Sequence, residues 1–155
     1  MRILYFGILP FILACSGLYV SSCTAGSCFD ETESRVKGTF YNMATGKTLA
    51  PDSVTLYGVN MDTLEIYDKT TSLKSAELPL YAAEQGCKFV IRINGINDTL
   101  EFSYISYPHL LSKECGYTFF FNLDTALHSN NIIDSISFEK KTITTFNEEN
   151  MRIFF

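Results

Sequence analysis

Residues 88–104, KFVIRINGINDTLEFSY, decide the fold that the sequence predicts. Apolar residues recur at every second position from 89 to 93 and from 100 to 104: Phe89, Ile91, Ile93, Leu100, Phe102 and Tyr104. Successive side chains of a strand point to opposite faces, so each half is typical of a half-buried strand. A tight reversal is predicted at residues 95–98 because of their Gly and Asn. The stretch therefore predicts an antiparallel hairpin.

The same alternation recurs along most of the chain after residue 34. Further strands are predicted at residues 35–41, 53–59, 117–123, 135–139 and 151–155. No long window shows the 3.6-residue apolar period of a helix. The 13 Phe and 9 Tyr suit a sheet protein, since aromatic residues favour strands. The prediction is an all-β fold, a single antiparallel β-sandwich of the immunoglobulin-like or transthyretin-like kind.

The first 22 residues differ from the rest. Residues 3–20 carry no charge, and Arg2 is the only charged residue before them. Pro10 and the serines at 21–22 favour a helical signal peptide, with a transmembrane anchor or a buried helix as the alternatives. Val20-Ser21-Ser22-Cys23 resembles a bacterial lipobox, whose cysteine thiol accepts the lipid. Cys23 is therefore the predicted lipidation site, and Cys15 is the alternative.

These features predict three segments: a lipoprotein signal peptide at 1–22, a lipidated tether at 23–34 and a β-sandwich domain at 35–155. The chain after residue 22 holds all 17 acidic residues and 11 of the 12 basic ones, so its net charge is −6. No basic run is present of the kind that nucleic acid requires. We therefore expect no nucleic-acid partner, and expect membrane attachment through the lipid together with an envelope protein partner.

Three cysteines remain once Cys23 is assigned to lipid: Cys28, Cys87 and Cys115. Disulfides persist in exported proteins, so one pair and one spare thiol are expected. Three pairings are possible, and the spacing does not choose among them. No Cys-x-x-Cys motif is present, which argues against a thiol oxidoreductase or a zinc ribbon.

Two segments carry a family resemblance. They are ISYPHLLSKECGY at 105–117, with its Ser-x-x-Cys-Gly-Tyr element, and NEENMRIFF at 147–155. With the lipobox and Cys28 they resemble an uncharacterised family of Bacteroidetes lipoproteins, a domain of unknown function. The resemblance implies a disulfide between Cys28 and Cys115, with Cys87 either spare or competing for a partner. A weaker likeness, over residues 36–59, is to carboxypeptidase-regulatory and transthyretin-like sandwiches, which are structural or adhesive modules.

No catalytic motif is apparent, so a non-enzyme without a cofactor or metal is predicted. His109 lies six residues before Cys115, and such a pair can form a nucleophile. However, an exported cysteine is usually oxidised, and His109 follows Pro108 in a predicted loop. His128 is also predicted to lie in a loop. The alternatives to an interaction or structural role are a small-ligand carrier on the aromatic strands and, less favoured, a periplasmic hydrolase or thiol enzyme.

Five Asp-Ser/Thr-apolar triplets resemble an O-glycosylation acceptor of exported Bacteroidetes proteins. Their acceptor residues are Ser53, Thr63, Thr99, Thr125 and Ser135. The structural alternative is that such residues are ordinary where turns lead into strands. Thr24 after Cys23, rather than Asp, favours the outer membrane by analogy with lipoprotein sorting. The tether begins without an acidic cluster, which favours a periplasm-facing position.

Overall fold

The computed structural model describes residues 27–59 and 65–155, and within them the chain forms ten β-strands and no helix. The strands, in chain order, are β1 (Arg35–Tyr41), β2 (Val54–Gly58), β3 (Glu65–Thr70), β4 (Ser75–Pro79), β5 (Gly86–Ile93), β6 (Ile96–Ser112), β7 (Gly116–His128), β8 (Ser135–Phe138), β9 (Thr142–Ile143) and β10 (Met151–Phe154). The all-β prediction is confirmed. The predicted signal peptide, Cys15 and Cys23 lie outside the described residues.

The strands form two sheets. One has four strands in the order β4-β1-β10-β8, and the other has six in the order β3-β2-β5-β6-β7-β9. Their apolar faces pack together as a sandwich over a core of large side chains. The largest fully buried ones are Tyr104, Phe40, Phe89, Phe102, Leu56, Leu78, Ile91, Ile93, Leu100, Ile133, Ile143 and Met151.

The predicted hairpin is confirmed as β5–β6, with Phe89 opposite Leu100 and Ile93 opposite Ile96. The predicted position of the turn is wrong: it starts one residue late and ends three residues late. Asn94 and Gly95 alone form it, with φ of 51° and 87°. Asn and Gly tolerate positive φ better than other residues, and a two-residue Asn-Gly turn matches the twist of its strands. Residues 96–98 therefore belong to β6.

One strand pair departs from the predicted antiparallel arrangement. β1 and β10 run parallel, with Gly38 opposite Met151 and Phe40 opposite Ile153. Parallel strands cannot be joined by a short turn, and these two come from opposite ends of the described chain. Alternation has the same period in both directions, so the sequence pattern does not reveal strand direction.

Three strands were not predicted: β3, β4 and β9. β4 carries a short alternation: the apolar residues Ala76 and Leu78 are buried, and their neighbours are half-buried. β9 has only two residues, too few for any periodic pattern. β3 has no buried residue among its six. Its place in the sheet comes from pairing with β2 and not from an apolar face.

The β6–β7 hairpin extends beyond the sandwich. The last β5 partner of β6 is Gly86, opposite Ser103, and β9 pairs with β7 only at Phe121 and Asn122. We call residues 105–112 and 116–120 the distal ribbon. Tyr117 and Phe119 were predicted to continue the buried alternation of β7, but they are 74% and 45% exposed. Within residues 27–59 and 65–155, the four-stranded sheet does not bury this face of the ribbon.

Candidate interaction surface

The segment before β1 is fixed to the tip of the distal ribbon by a disulfide. Cys28 bonds to Cys115, with 4.8 Å between their Cα atoms and 87 positions between them in sequence. This is the pairing that the family resemblance implies. We call residues 27–34 the tether. The disulfide joins the tether to a strand hairpin far along the chain, so this segment is part of the folded domain.

The Ser-x-x-Cys-Gly-Tyr element has a structural explanation at the same tip. The Cys115 N–H donates to Ser112 Oγ at 3.0 Å, which closes the turn between β6 and β7. Gly116 has a φ of 73°, a left-handed conformation that other residues rarely adopt. Ser112 and Gly116 therefore shape the turn that presents the Cys115 sulfur to the tether.

Further polar contacts hold the tether in place. Thr118 Oγ1 donates to the carbonyl of Thr32 at 2.6 Å. The Arg35 guanidinium forms an ion pair with Glu33. The exposed charges of this pair add little to stability, whereas the Thr118 contact and the disulfide fix the tether to β7 at two points.

Apolar side chains are exposed beside the disulfide. Phe29 is 92% exposed, the largest exposed fraction among the large apolar side chains that the structure describes, and Leu110 and Tyr117 are 50% and 74% exposed. Leu110 lies opposite Tyr117 in the ribbon. Exposed apolar residues grouped in this way are a recognised mark of binding surfaces. The tether and the distal ribbon together form the candidate interaction surface.

A cleft of about 360 Å³ opens where the tether crosses the end of the sandwich. It lies between the tether, the residues after β4 and the base of β7. Its lining comprises Thr32, Glu33, Ser34, Arg35, Pro79, Leu80, Ala82, Thr118, Phe119 and Phe121. The Tyr104 hydroxyl donates to the Tyr81 carbonyl and accepts from the Tyr81 N–H, both at 3.0 Å. Ser106 Oγ donates to the Ala82 carbonyl at 2.8 Å, so the wall of the cleft is anchored to β6.

Ser34 contributes an unusual group to this cleft. The residue is 8% exposed, and its buried Oγ has no hydrogen-bond partner within the described part of the protein. A buried hydroxyl without a partner costs free energy, and most are paired with protein or water. The cleft is therefore lined by both apolar and polar side chains, and the Ser34 hydroxyl is buried beside it.

A second cleft, of about 250 Å³, lies on the other side of the tether and is polar. Its charged residues are Glu31, Glu33, Arg35, Lys37 and Glu77, and Phe146 contributes an apolar wall. The mixture of three acidic and two basic side chains gives no strong preference for an anion or a cation.

Cys87 carries the free thiol among the described cysteines. It points toward the core from β5, opposite Phe102. Burial raises the pKa of Cys87 to about 11, and a hydrogen bond with Tyr104 opposes the shift only in part. Because the thiolate is the reactive form, this thiol is poorly suited to nucleophilic chemistry near neutral pH.

The two residues of the thiol-enzyme alternative, His109 and Cys115, lie in different structural environments. Cys115 is oxidised, and His109 lies in β6 opposite Thr118. The predicted loop at His109 is wrong: Pro108 is accommodated because β6 has a strand neighbour on one side only at this position. The His109 ring stacks on Phe120, with centroids 4.1 Å apart. His128 was also predicted to lie in a loop but is the last residue of β7.

No group of three or more His, Cys, Asp or Glu side chains lies close enough to hold a metal ion within residues 27–59 and 65–155. No helix in that part of the chain is long and apolar enough to cross a membrane.

Asp98 has a role that the sequence analysis missed. Its buried carboxylate accepts hydrogen bonds from Ser129 Oγ at 2.5 Å and from the N–H groups of Asn131, Ile132 and Ile133 at 3.0, 2.8 and 2.8 Å. Burial raises the pKa of Asp98, but these hydrogen bonds outweigh it and lower the pKa below the ordinary value of 3.8. The carboxylate fixes the loop between β7 and β8, at the opposite end of the molecule from the disulfide.

The acceptor residues proposed for glycosylation lie in different environments. Thr99 and Thr125 are exposed, and Ser53 and Ser135 are half-buried, while Thr63 lies outside the described residues. Asp98 of the Thr99 triplet is buried, whereas Asp124 and Thr125 are both exposed. Modification stays a prediction, and on the folded protein Thr125 is the most accessible of the triplets that the structure describes.

The fold and this surface define a class: an all-β sandwich whose N-terminal segment is clamped by a disulfide to a projecting β-hairpin. A model described as a family of unknown function, DUF6452, matches residues 53–155, well over half of the chain. The chain therefore belongs to this family. Neither the curated proteins nor the solved structures contain a match to the chain.

Proposed function

We propose that this protein is a lipid-anchored, non-catalytic interaction protein of the bacterial cell envelope. It is attached through Cys23 to the periplasmic face of the outer membrane and acts by binding another envelope protein. The observation that supports this most is the Cys28–Cys115 disulfide. Disulfides are typical of exported proteins, and Cys28 lies five residues after the proposed lipid site.

The chemistry of the surface agrees with a binding role. The distal ribbon exposes apolar and aromatic side chains, among them Ile105 and Phe119, and buried side chains of this kind dominate interface energetics. The cysteine in the distal ribbon is oxidised, and the free thiol of Cys87 has a raised pKa. Neither cysteine is therefore in the reactive state that a thiol enzyme needs.

Metabolic labelling with an alkyne fatty acid tests the anchor. The wild-type protein should carry the label and sediment with membranes, and Cys23→Ser should lose both properties. Cys15→Ser is the matched control and should keep the label. If Cys15→Ser loses the label and Cys23→Ser keeps it, the alternative site is the correct one. An unlabelled wild-type protein would overturn the anchor.

Crosslinking in intact cells tests the interaction. A photoreactive amino acid is placed at Phe119, on the candidate surface, and at the exposed Leu127, near the other end of β7. We expect a reproducible envelope protein adduct from position 119 and a weaker one, or none, from position 127. A lack of adducts at both positions in correctly folded protein would contradict the interaction role.

A second candidate function, a small-ligand carrier, is favoured by one observation: the cleft of about 360 Å³ with Leu80, Phe119 and Phe121 in its lining. The space between the aromatic strands is filled by the core, so the site for a ligand lies at the end of the sandwich. The cleft suits a small molecule with both apolar and polar groups, because both kinds of side chain line it.

Native mass spectrometry of gently purified protein tests the carrier role. A bound species should be retained by the wild type and lost from Ala82→Phe, in which a large ring occupies the cleft. A bound ligand should also raise Tm, and the increase should grow with the logarithm of the ligand concentration above Kd. Protein that carries no ligand in either form would leave the interaction role as the better account.

A further inference from the structure

Three exposed apolar side chains surround the point where the tether joins the ribbon. Phe29 follows Cys28 directly, Tyr117 follows Cys115 by two positions, and Leu110 lies opposite Tyr117 on the neighbouring strand. The disulfide holds these two chain segments together. The three side chains therefore belong to one end of the molecule, the end at which the tether arrives.

The length of chain before Cys28 limits how far this end can lie from a membrane. Five peptide units separate Cys23 from Cys28, and a fully extended chain spans at most about 18 Å over that distance. The polar layer of each leaflet is roughly 5–8 Å thick. With lipid on Cys23, the disulfide and the ribbon tip can lie directly on the bilayer surface.

The charges at this end are mixed. The turn carries Lys113 and Glu114, and the tether carries Asp30 and Glu31. An excess of acid does not favour an anionic lipid surface. The attraction must come from the apolar and aromatic side chains, and tyrosine is enriched where a protein meets the membrane–water interface.

We infer that the tether end of the domain rests on the bilayer, with Phe29, Tyr117 and Leu110 in contact with the interface of a zwitterionic lipid surface. This inference depends on the anchor given under Proposed function. What it adds to the anchor is the orientation of the domain relative to the membrane. The Asn94–Gly95 turn and the loop fixed by Asp98 then point away from the membrane, since β6 runs from that end to the ribbon tip.

The absence of tryptophan from the sequence makes the orientation measurable. Tyr117→Trp introduces a single reporter in the lipidated full-length protein, reconstituted in phosphatidylcholine vesicles. Leu127→Trp is the matched control because it lies exposed on the same strand. Ten residues of strand separate the two positions by roughly 30 Å.

We expect the emission of the reporter at position 117 to shift to the blue and to be quenched by brominated phosphatidylcholine. The emission at position 127 should be unchanged. Phe29→Trp serves as a second reporter, with the same expectation as position 117, in case the first variant folds poorly.

Vesicle flotation separates the possible outcomes. Protein that floats without quenching at positions 117 and 29 overturns the orientation and leaves the anchor intact. Protein that floats and is quenched equally at 117 and 127 also overturns it, because the two ends of β7 would then lie at the same depth. Protein that does not float overturns the anchor, and the inference with it.

Discussion

The two halves of the β6–β7 hairpin have the same alternating pattern and opposite environments. Near the centre of the sandwich, Phe102, Tyr104 and Leu123 are at most 3% exposed. In the distal ribbon, Leu110 and Tyr117 continue the same face and are at least half exposed. Alternation therefore predicts which side chains share a face, but the presence of a covering sheet decides whether that face is buried. The following predictions test this difference, from the largest expected effect to the smallest.

The disulfide should be the main contribution of the distal ribbon to stability. The Cys28→Ser, Cys115→Ser double variant should lose about 4–5 kcal/mol of unfolding free energy, because the 87-residue separation makes the unfolded chain much freer without the link. Urea unfolding of oxidised wild type and the variant measures this. Cys87→Ser is the control and should cost much less. An equal loss in that control would mean that the pairing is different.

Phe121 and Tyr117 compare the two environments on one strand. Both point to the same face of β7, but Phe121 is 3% exposed and Tyr117 is 74% exposed. Phe121→Ala should lower the unfolding free energy by about 3–5 kcal/mol, the usual cost of removing a buried Phe. Tyr117→Ala should change it by less than about 0.5 kcal/mol. A large loss at Tyr117 would show that the distal ribbon is covered by something, such as a second copy of the chain.

Substitution of Asp98, near the start of β6, tests the buried polar contacts in the part of the hairpin that lies inside the sandwich. Asp98→Asn should cost about 1–3 kcal/mol at pH 7, because it replaces a carboxylate that accepts four hydrogen bonds. Asp124→Asn, at an exposed position, is the matched control and should have little effect.

The effect of Asp98 should depend on pH in a defined direction. Its pKa is lowered in the folded state, so its contribution is complete above the unfolded value, near 3.8, and is lost as the pH falls through the lower folded value. Urea unfolding at pH 7 and near pH 2 should therefore show a large difference between wild type and Asp98→Asn at pH 7 and a small one in acid. If the difference in unfolding free energy between wild type and Asp98→Asn stays constant with pH, Asp98 is not charged in the folded protein.

The stack of His109 on Phe120 should have the smallest effect. His109→Ala should cost about 0.5–1 kcal/mol, within the range for an aromatic pair. His109→Phe keeps an aromatic ring and should restore most of the loss. A loss of a cellular activity in His109→Phe without a loss of stability would instead revive the enzyme alternative.

Much of the local structure was predictable from the sequence. The strand at 35–41 and the β5–β6 hairpin follow from alternation, and the disulfide follows from the family resemblance. The buried contacts of Asp98 were not predictable, because its partners Ser129 and Asn131 lie more than 30 positions away and no local pattern links them. The cleft at Ser34 was missed for the same reason, since it forms where the tether, β4 and β7 meet.

The sequence by itself determined the strand periodicity and the sheet class, because these depend on the order of neighbouring residues, and it predicts an exported, lipid-modified N-terminus. Only the tertiary structure decided that β1 runs parallel to β10, that the distal ribbon is uncovered and that Asp98 is used inside the molecule. Those features depend on which segments meet in space. The physical reason is that burial and strand direction arise from packing between distant parts of the chain, whereas alternation is a property of one strand alone.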